Sequence, residues 1–484
     1  MNRNEIYRIY GTNYKEMTVK LLTECNLRAQ IISKYRHTPP ASSADLAATD
    51  SHSYTYNIHK TYSDGDSQNS ANPDICNIPG THFDNISQDL ANPESIDFSD
   101  IRIGIKPNLV SPTPADFGAT THPEIVAGII EYLKAQGFTN ITILEGSWVG
   151  DKTSEAFEYC GYNDLARQYD VELFDTQKDS SFAADCGGLE LNICSKLKDI
   201  DYLINVPVLK GHCQTRITCA LKNMKGLIPN SEKRHFHSMG LHKPIAHLNT
   251  YIHQDFIVID HICGDPDIED GGNPLIRNCI MASVDPVLTD SYVCRILGYK
   301  VEDVSYILLA SELGVGSSDL DSLQMITLPG GEDSAKYEET EKKPTDFNEN
   351  SDAHRIVSLN YAVEEVDSCS ACYSYLMSAL DRLRSEGKLS YLTDTLNIRF
   401  CIGQGYRKSD TSADHTHGNH THHSSDAPQN TSSHAHHPEG CSKDYINYIG
   451  IGACTHSFEK NIPGCPPSED TIYEYLVKLL IPAL

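Results

Sequence analysis

A chain of 484 residues with 66 Asp and Glu against 39 Lys and Arg carries a formal charge of −27 and has no basic tail or stripe. That balance argues against nucleic acid or an anionic membrane as the main partner. The length gives room for a large core and two domains.

The opening stretch Met1–Arg8 has no apolar h-region, and no run is long enough to span a bilayer, so neither a signal peptide nor a membrane helix is expected. Sixteen cysteines in such a chain point to a reducing cytoplasm. Cys25, Cys160, Cys219, Cys279 and Cys294 lie in or beside predicted regular structure and read as core residues.

In chain order, residues 6–34 read as a helical opening. Residues 38–98, rich in Ser, Asn, Asp, Thr and Pro without a sustained period, read as a disordered insertion in a domain that runs to about 330. Ile101 to Val110 is a short apolar strand that stops at Lys106-Pro107-Asn108, because proline cannot donate to a central ladder. Thr121 suits a helix N-cap, followed by Ile125, Ile129, Ile130 and Leu133 at helical spacing and by Gly137 as the stop. Ile141–Glu145 is the next strand, which completes a βαβ unit. The alternation continues with a helix near 153–167, strands at 171–174, 202–206, 256–260 and 280–284, and helices near 286–297 and 301–313.

The fold class is therefore α/β, a mostly parallel sheet flanked by helices, followed by a charged linker at 331–355 and a smaller α/β metal-binding domain over 356–484. That second domain holds a helix from about Tyr373, strands at 398–402 and 448–451, and a last helix from about Ser468. A His-rich insertion at about 409–442 interrupts it.

Ligands of parallel sheets bind at the carboxyl ends of the strands, and polar residues gather there. Lys210-Gly-His212, Lys222-Asn223 and Lys225-Gly226 form a local basic concentration in an acidic chain. With Lys106 and Asn108 they read as a site for a phosphate or carboxylate, held by point charges and backbone N–H groups. His212, His242, His247 and Asp260 are the candidate general bases. Asp265, Asp267, Glu269 and Asp270 continue an acidic loop that suits a hard cation, a base or a plain turn. No P-loop, GxSxG or GxGxxG stands in a fitting place.

Near the end, Cys369-Ser-Ala-Cys372 is followed by Gly452-Ala-Cys454 and by Pro463-Gly-Cys465-Pro-Pro467. Four thiolates on Gly- and Pro-fixed turns suit a cubane iron–sulfur cluster, and a four-cysteine zinc site is the competing reading. Eight histidines between His415 and His437 can bind a divalent metal such as Zn or Ni weakly.

Several of these stretches resemble the DUF362 family, α/β proteins of uncharacterised function often joined to iron–sulfur modules. They are Lys106-Pro-Asn-Leu-Val110, Thr121-His-Pro-Glu124, Glu145-Gly-Ser147, Val206-Pro-Val-Leu-Lys-Gly-His212, Ala220 to Pro229 and Asp260 to Pro274. The resemblance covers about residues 101–313. The tail, with Gly403-Gln-Gly405 and the three cysteine turns, looks like the cluster-binding C-terminal region of that family. Its Pro-Gly-Cys-Pro-Pro loop is also similar to that of the cluster-bearing subunit of respiratory complex I and of the hydrogenase small subunit.

The resemblance implies a [4Fe-4S] cluster on Cys369, Cys372, Cys454 and Cys465. The two polar insertions depart from the family pattern, and whether Cys401 or Cys441, which flank the second, replaces a ligand stays open. The expectation is a cytoplasmic iron–sulfur protein that exchanges electrons with an anionic small molecule or a partner protein. A metal-handling protein and a non-redox enzyme with structural zinc are the alternatives.

Overall fold

The computed structural model describes residues 1–37, 97–330, 336, 356–366, 368, 370–406 and 446–480. The charged linker except Lys336, the His-rich insertion, and the 38–98 insertion except Asp97 and Phe98 lie outside the described residues. In chain order the strands are β1 Glu5–Tyr10, β2 Ile103–Pro107, β3 Ile141–Glu145, β4 Glu172–Asp175, β5 Ser181–Asp185, β6 Glu190–Cys194, β7 Tyr202–Val206 and β8 Lys210–His212. They continue as β9 Arg216–Thr218, β10 Phe256–His261, β11 Cys279–Ser283, β12 Gln324–Thr327, β13 Val363–Glu365, β14 Ile398–Ile402, β15 Asn447–Ile451 and β16 Asn461–Ile462.

Eight of them form one sheet in the order β12-β1-β11-β10-β7-β2-β3-β4, parallel except for β11. β2, β3, β7, β10 and β11 are buried along their whole length. That is why they read as unbroken apolar runs: helices cover both faces.

One face packs against the helices Tyr14–Glu24 and Pro123–Ala135, through Leu21, Ile125 and Ile129. The other packs against His242–Tyr251, Pro286–Ile296 and Ser305–Glu312, through Ile245, Val287 and Ile307.

Residues 6–10 are a strand, not the helix expected from sequence. Ile6 and Tyr10 enter one core and Ile9 the other, a period of two that only an inner strand between two cores needs. The helix expected over 153–167 is two, Thr153–Tyr159 and Tyr162–Tyr169, broken at Gly161, whose φ is +79°. The helix expected to be capped by Thr121 begins one residue later, with His122 at the N-cap. Thr121 instead donates to the Val206 carbonyl and accepts from the Asn108 N–H, tying β7 to the exit of β2.

After the C-terminal end of the first sheet, β13-β14-β15-β16 form a separate small sheet, parallel throughout. The helices Ser370–Ser385 and Glu469–Lys478 cover it, and Ser468 caps the latter by accepting from the Thr471 N–H. Leu376, Leu380, Phe400 and Ile449 form its core, and Cys213 and Ile268 of the first region pack into the same cluster.

The chain lays down β2, β3 and β4 in one direction and then returns to place β7 on the other side of β2. The β2/β7 boundary is thus the topological switch point, where an open α/β sheet leaves a crevice at the strands' carboxyl ends. The floor of that crevice is an ion pair: Lys106 Nζ lies 2.6 Å from Glu145 Oε1, with both side chains buried. Glu145 also accepts from the N–H groups of Leu109 and Gly146. Removing one partner of a buried pair strands the other charge, at a cost of about 3–5 kcal/mol. Lys106→Met is expected to lower unfolding stability by that amount in urea titrations, and the double variant with Glu145→Gln to recover part of it. Equal stability of Lys106→Met and the native chain would contradict the assignment.

Candidate functional site

Above this floor the carboxyl ends of β2, β3 and β7 open onto a cavity of about 350 Å³. Asn108, Glu145 to Val149, the β8–β9 hairpin and Lys222, Asn223, Lys225 and Gly226 line it. The hairpin lies against the acidic loop because position 211 has no side chain: a Cβ there would sit 2.2 Å from the Pro266 carbonyl oxygen.

Lys210, Lys222 and Lys225 of the expected anion site meet at this cavity with Asn108, and Lys233 joins them. Lys106 does not line it, since its ammonium is turned to Glu145 and to the Pro107 carbonyl. The remaining lysines differ in what holds them. Lys210 Nζ donates to Asn108 Oδ1 at 3.3 Å, to the Glu269 carbonyl at 2.7 Å and to the Ala119 carbonyl. Lys233 donates to the carbonyls of Gly146 and Ser147. Lys222 donates to Thr215 Oγ1 at 2.8 Å. Lys225 is half-buried and lies over the Phe236 ring.

Burial pushes the pKa of Lys210, Lys225 and Lys233 down to about 8, against the pull of nearby carboxylates. Lys222 is pushed well below the usual lysine value, by burial and then by the Lys225 charge.

Carboxylates share the same cavity: Glu145, Asp151, Glu269 and Asp270. Burial and the neighbouring Glu269 raise Asp270 to about 7, although Lys210 pulls it down. Asp265, by contrast, shapes its loop by accepting from the N–H groups of Asp267, Ile268 and Asn273.

Of the four candidate bases, only His212 lines the cavity. His242 stacks on Tyr306 and accepts from its N–H, and His247 Nδ1 meets the Cys186 carbonyl at 2.8 Å. Asp260 is bound to His122, whose Nδ1 lies 2.8 Å from Asp260 Oδ2. Burial alone would lower that imidazole's pKa, but the Asp260 charge and hydrogen bond lift it to about 11. His242, His247 and Asp260 therefore hold the fold together and do not face the ligand space.

His212, Cys213 and Glu269 bring their donor atoms within 4.8 Å of one another, the spacing of a metal site. The hydrogen bonds argue otherwise. His212 Nδ1 accepts from the N–H groups of Gln214 and Thr215, so the ring proton sits on Nε2, which faces Glu269 Oε1 at 3.4 Å. The Cys213 thiol donates to the same oxygen at 3.1 Å. Glu269 thus gathers two protons where a metal would need two lone pairs, and burial raises the thiol's pKa well above its usual range.

Sequence reasoning missed Lys233 and His237, which also line the cavity. No motif marks Lys233; only the placement of the Asn230–Ser238 helix beside β3 brings it in. Among the described residues, Thr218 Oγ1 and His237 Nδ1 are buried without a hydrogen-bond partner, as groups awaiting a ligand would be.

The C-terminal region closes one wall. Gln214 donates to Glu365 and Ser368, Ser374 Oγ donates to Asp270 Oδ2 at 3.3 Å, and Tyr375 lines the cavity. Glu365 and Ser368 precede the Ser370–Ser385 helix, whose first turns supply Ser374 and Tyr375 and also carry Cys372. Cys372 is buried, and a Cβ at Gly452 would sit 3.2 Å from its sulfur. The N–H groups of Gly452 and Ala453 donate to the carbonyls of Ile462 and Gly464, which brings the exposed Cys454 and Cys465 onto adjoining turns. Cys369 and Cys441 lie outside the described residues. Cys401 sits within β14, its thiol pushed up to about 12 by burial.

Charge in the cavity changes near neutrality. Lys210, Lys225 and Lys233 lose charge as pH rises through about 8, and Asp270 gains it through about 7. Both changes disfavour an anion, so inorganic phosphate titrated calorimetrically is expected to bind at least about tenfold more weakly at pH ~9 than at pH ~6.5. A flat or rising affinity would exclude this cavity as the anion site.

Residues 103–295 match the family described as Domain of unknown function (DUF362). The chain is also similar to a protein of Synechocystis sp. named as thylakoid-associated, at 28% identity over 140 residues, which are 28% of this chain and 42% of that protein. The matched stretch begins at β2 and ends in the Pro286–Ile296 helix, so the similarity to that family takes in the switch point and the lysine-bearing walls of the cavity.

Proposed function

We propose that the chain is a redox protein in which the lysine cavity binds an anionic small molecule and Cys369, Cys372, Cys454 and Cys465 hold a [4Fe-4S] cluster beside it. The observation that carries this reading is the Ser370–Ser385 helix: its first turns bear Cys372 and supply Ser374 and Tyr375 to the cavity wall. Three of the four cysteines support the reading, with Cys372 against the bare face of Gly452 and Cys454 and Cys465 on adjoining turns; Cys369 lies outside the described residues. Such a cluster, when bound, supplies one-electron transfer.

The chain's own residues do the rest. Lys225 neutralises the ligand's charge, Lys210 and Asn108 add fixed polar contacts above the Lys106–Glu145 floor, and Asp270 holds or takes a proton near neutral pH. Trp148 and Tyr375 supply the aromatic part of its lining. Among the described residues no helix is long and apolar enough to cross a membrane. The proposal includes a reducing compartment, on the strength of the cysteine content.

The reading is tested by anaerobic purification with iron, sulfide and zinc analysis and an absorbance spectrum. Roughly four irons and four sulfides per chain and a brown colour are expected. Cys465→Ser should lose them, and deletion of residues 410–440 should keep them. A colourless protein with about one zinc per chain would replace electron transfer with a structural zinc site. Loss of the metal on deletion of 410–440 alone would favour metal handling by the His-rich segment.

A further inference from the structure

The lysines at the cavity are not equivalent. Lys210 and Lys233 have their protons fixed by backbone carbonyls and Asn108. Lys222 is 7% exposed and, among the described residues, has no carboxylate within ion-pair distance. Among the described residues its amine has one hydrogen-bond partner, Thr215 Oγ1 at 2.8 Å. Thr215 donates its own proton to the Ile217 carbonyl at 3.1 Å, so its oxygen can only accept from Lys222. One N–H of Lys222 is thereby anchored and the rest of the amine faces the cavity.

Lys225, one helical turn on, lies within the same cavity and makes no hydrogen bond or ion pair among the described residues. A desolvated amine beside a second cation is the arrangement that yields a nucleophilic lysine.

We propose that Lys222 is a nucleophile that forms an imine with an anionic carbonyl compound, a 2-oxo acid in the simplest case, whose carboxylate is held by Lys225. This rests on the reading of the cavity as an anion site. In the step, the neutral amine attacks the carbonyl carbon, and the C–N bond forms as the carbonyl π pair moves to oxygen. Nitrogen gives up its protons, the oxygen leaves as water after protonation, and the C=N bond closes without any change in oxidation state. Asp270, in the same cavity, is the acid placed to protonate the departing oxygen. Burial and the Lys225 charge favour the neutral form of the Lys222 amine, and Asp270 holds its proton to about pH 7.

The test uses the full-length protein with pyruvate or 2-oxoglutarate and sodium cyanoborohydride, and maps the reduced adduct by peptide mass spectrometry. Because each unit of lowered pKa gives tenfold more free amine, Lys222 should be labelled at least about tenfold faster than surface lysines such as Lys152. Acetate should slow the labelling by competition. K222M and K222R should abolish it, and mapping on the native chain identifies the residue even if either variant fails to fold. Thermal stabilisation by both oxo acids without an adduct on Lys222 would overturn the imine and leave the anion cavity standing. Neither stabilisation nor adduct would overturn both. Labelling of Lys222 no faster than that of surface lysines would also overturn the nucleophile.

Discussion

Burying ammonium groups is the constraint on which this architecture depends. Lys106, Lys210, Lys222 and Lys233 are all buried near one end of a sheet whose inner strands are closed to water on both faces. Each such charge must be matched or neutralised. Lys106 is matched by Glu145, so tightly that the chain crossing above them has no room for a side chain: a Cβ at Gly226 would sit 2.3 Å from Glu145 Oε1 and 2.5 Å from Lys106 Nζ. Lys210 draws in the Ala119 and Glu269 carbonyls, which belong to the segments after β2 and after β10. Lys233 draws in two carbonyls that follow β3. The loops that make the cavity are therefore positioned by buried cations in its floor and walls.

Polar order reaches the cavity from deeper in the protein through a chain of buried amides. Asn249 donates to the carbonyls of Leu221 and Ile245, which leaves its oxygen to accept from Gln254. Gln254 then accepts from Asn205, Asn205 from Asn223, and Asn223 from Asn108. Direction is fixed at the far end, so the oxygen of Asn108 is the one presented to Lys210. A ligand-facing contact is thus set by the His242–Tyr251 helix, which never touches the cavity.

Much of this was legible in the sequence because period and composition carry it. The inner strands are continuous apolar runs, and the rule that ligands sit at their carboxyl ends placed Asn108, Lys210, Lys222 and Lys225 together. What was not legible depends on pairings far apart in the chain. Lys106 looks like the other lysines until Glu145, on the neighbouring strand, takes it. Asp260 looks like a base until His122, 138 residues away, binds it. Ile6 to Tyr10 carries apolar residues that suit a helix as well as a strand, and only the presence of a core on each side decides. Lys233 enters through the placement of one helix, for which no local signal exists.

The same geometry narrows what can occupy the cavity. Four lysines line it, but so do four carboxylates, and its charge is close to balanced. A plain polyanion would meet Asp270 and Glu269 as readily as Lys222 and Lys225. Under the proposed reading the ligand is a small molecule with an anionic end for the lysines and a proton donor or developing oxyanion for the acidic side, where Asp270 can give up a proton. Asp270 is also the residue that Ser374 reaches from the helix bearing Cys372. One carboxylate thus joins the acidic side of the cavity to the cysteine-bearing helix, a point at which a proton gained or lost by Asp270 would alter a contact of that helix.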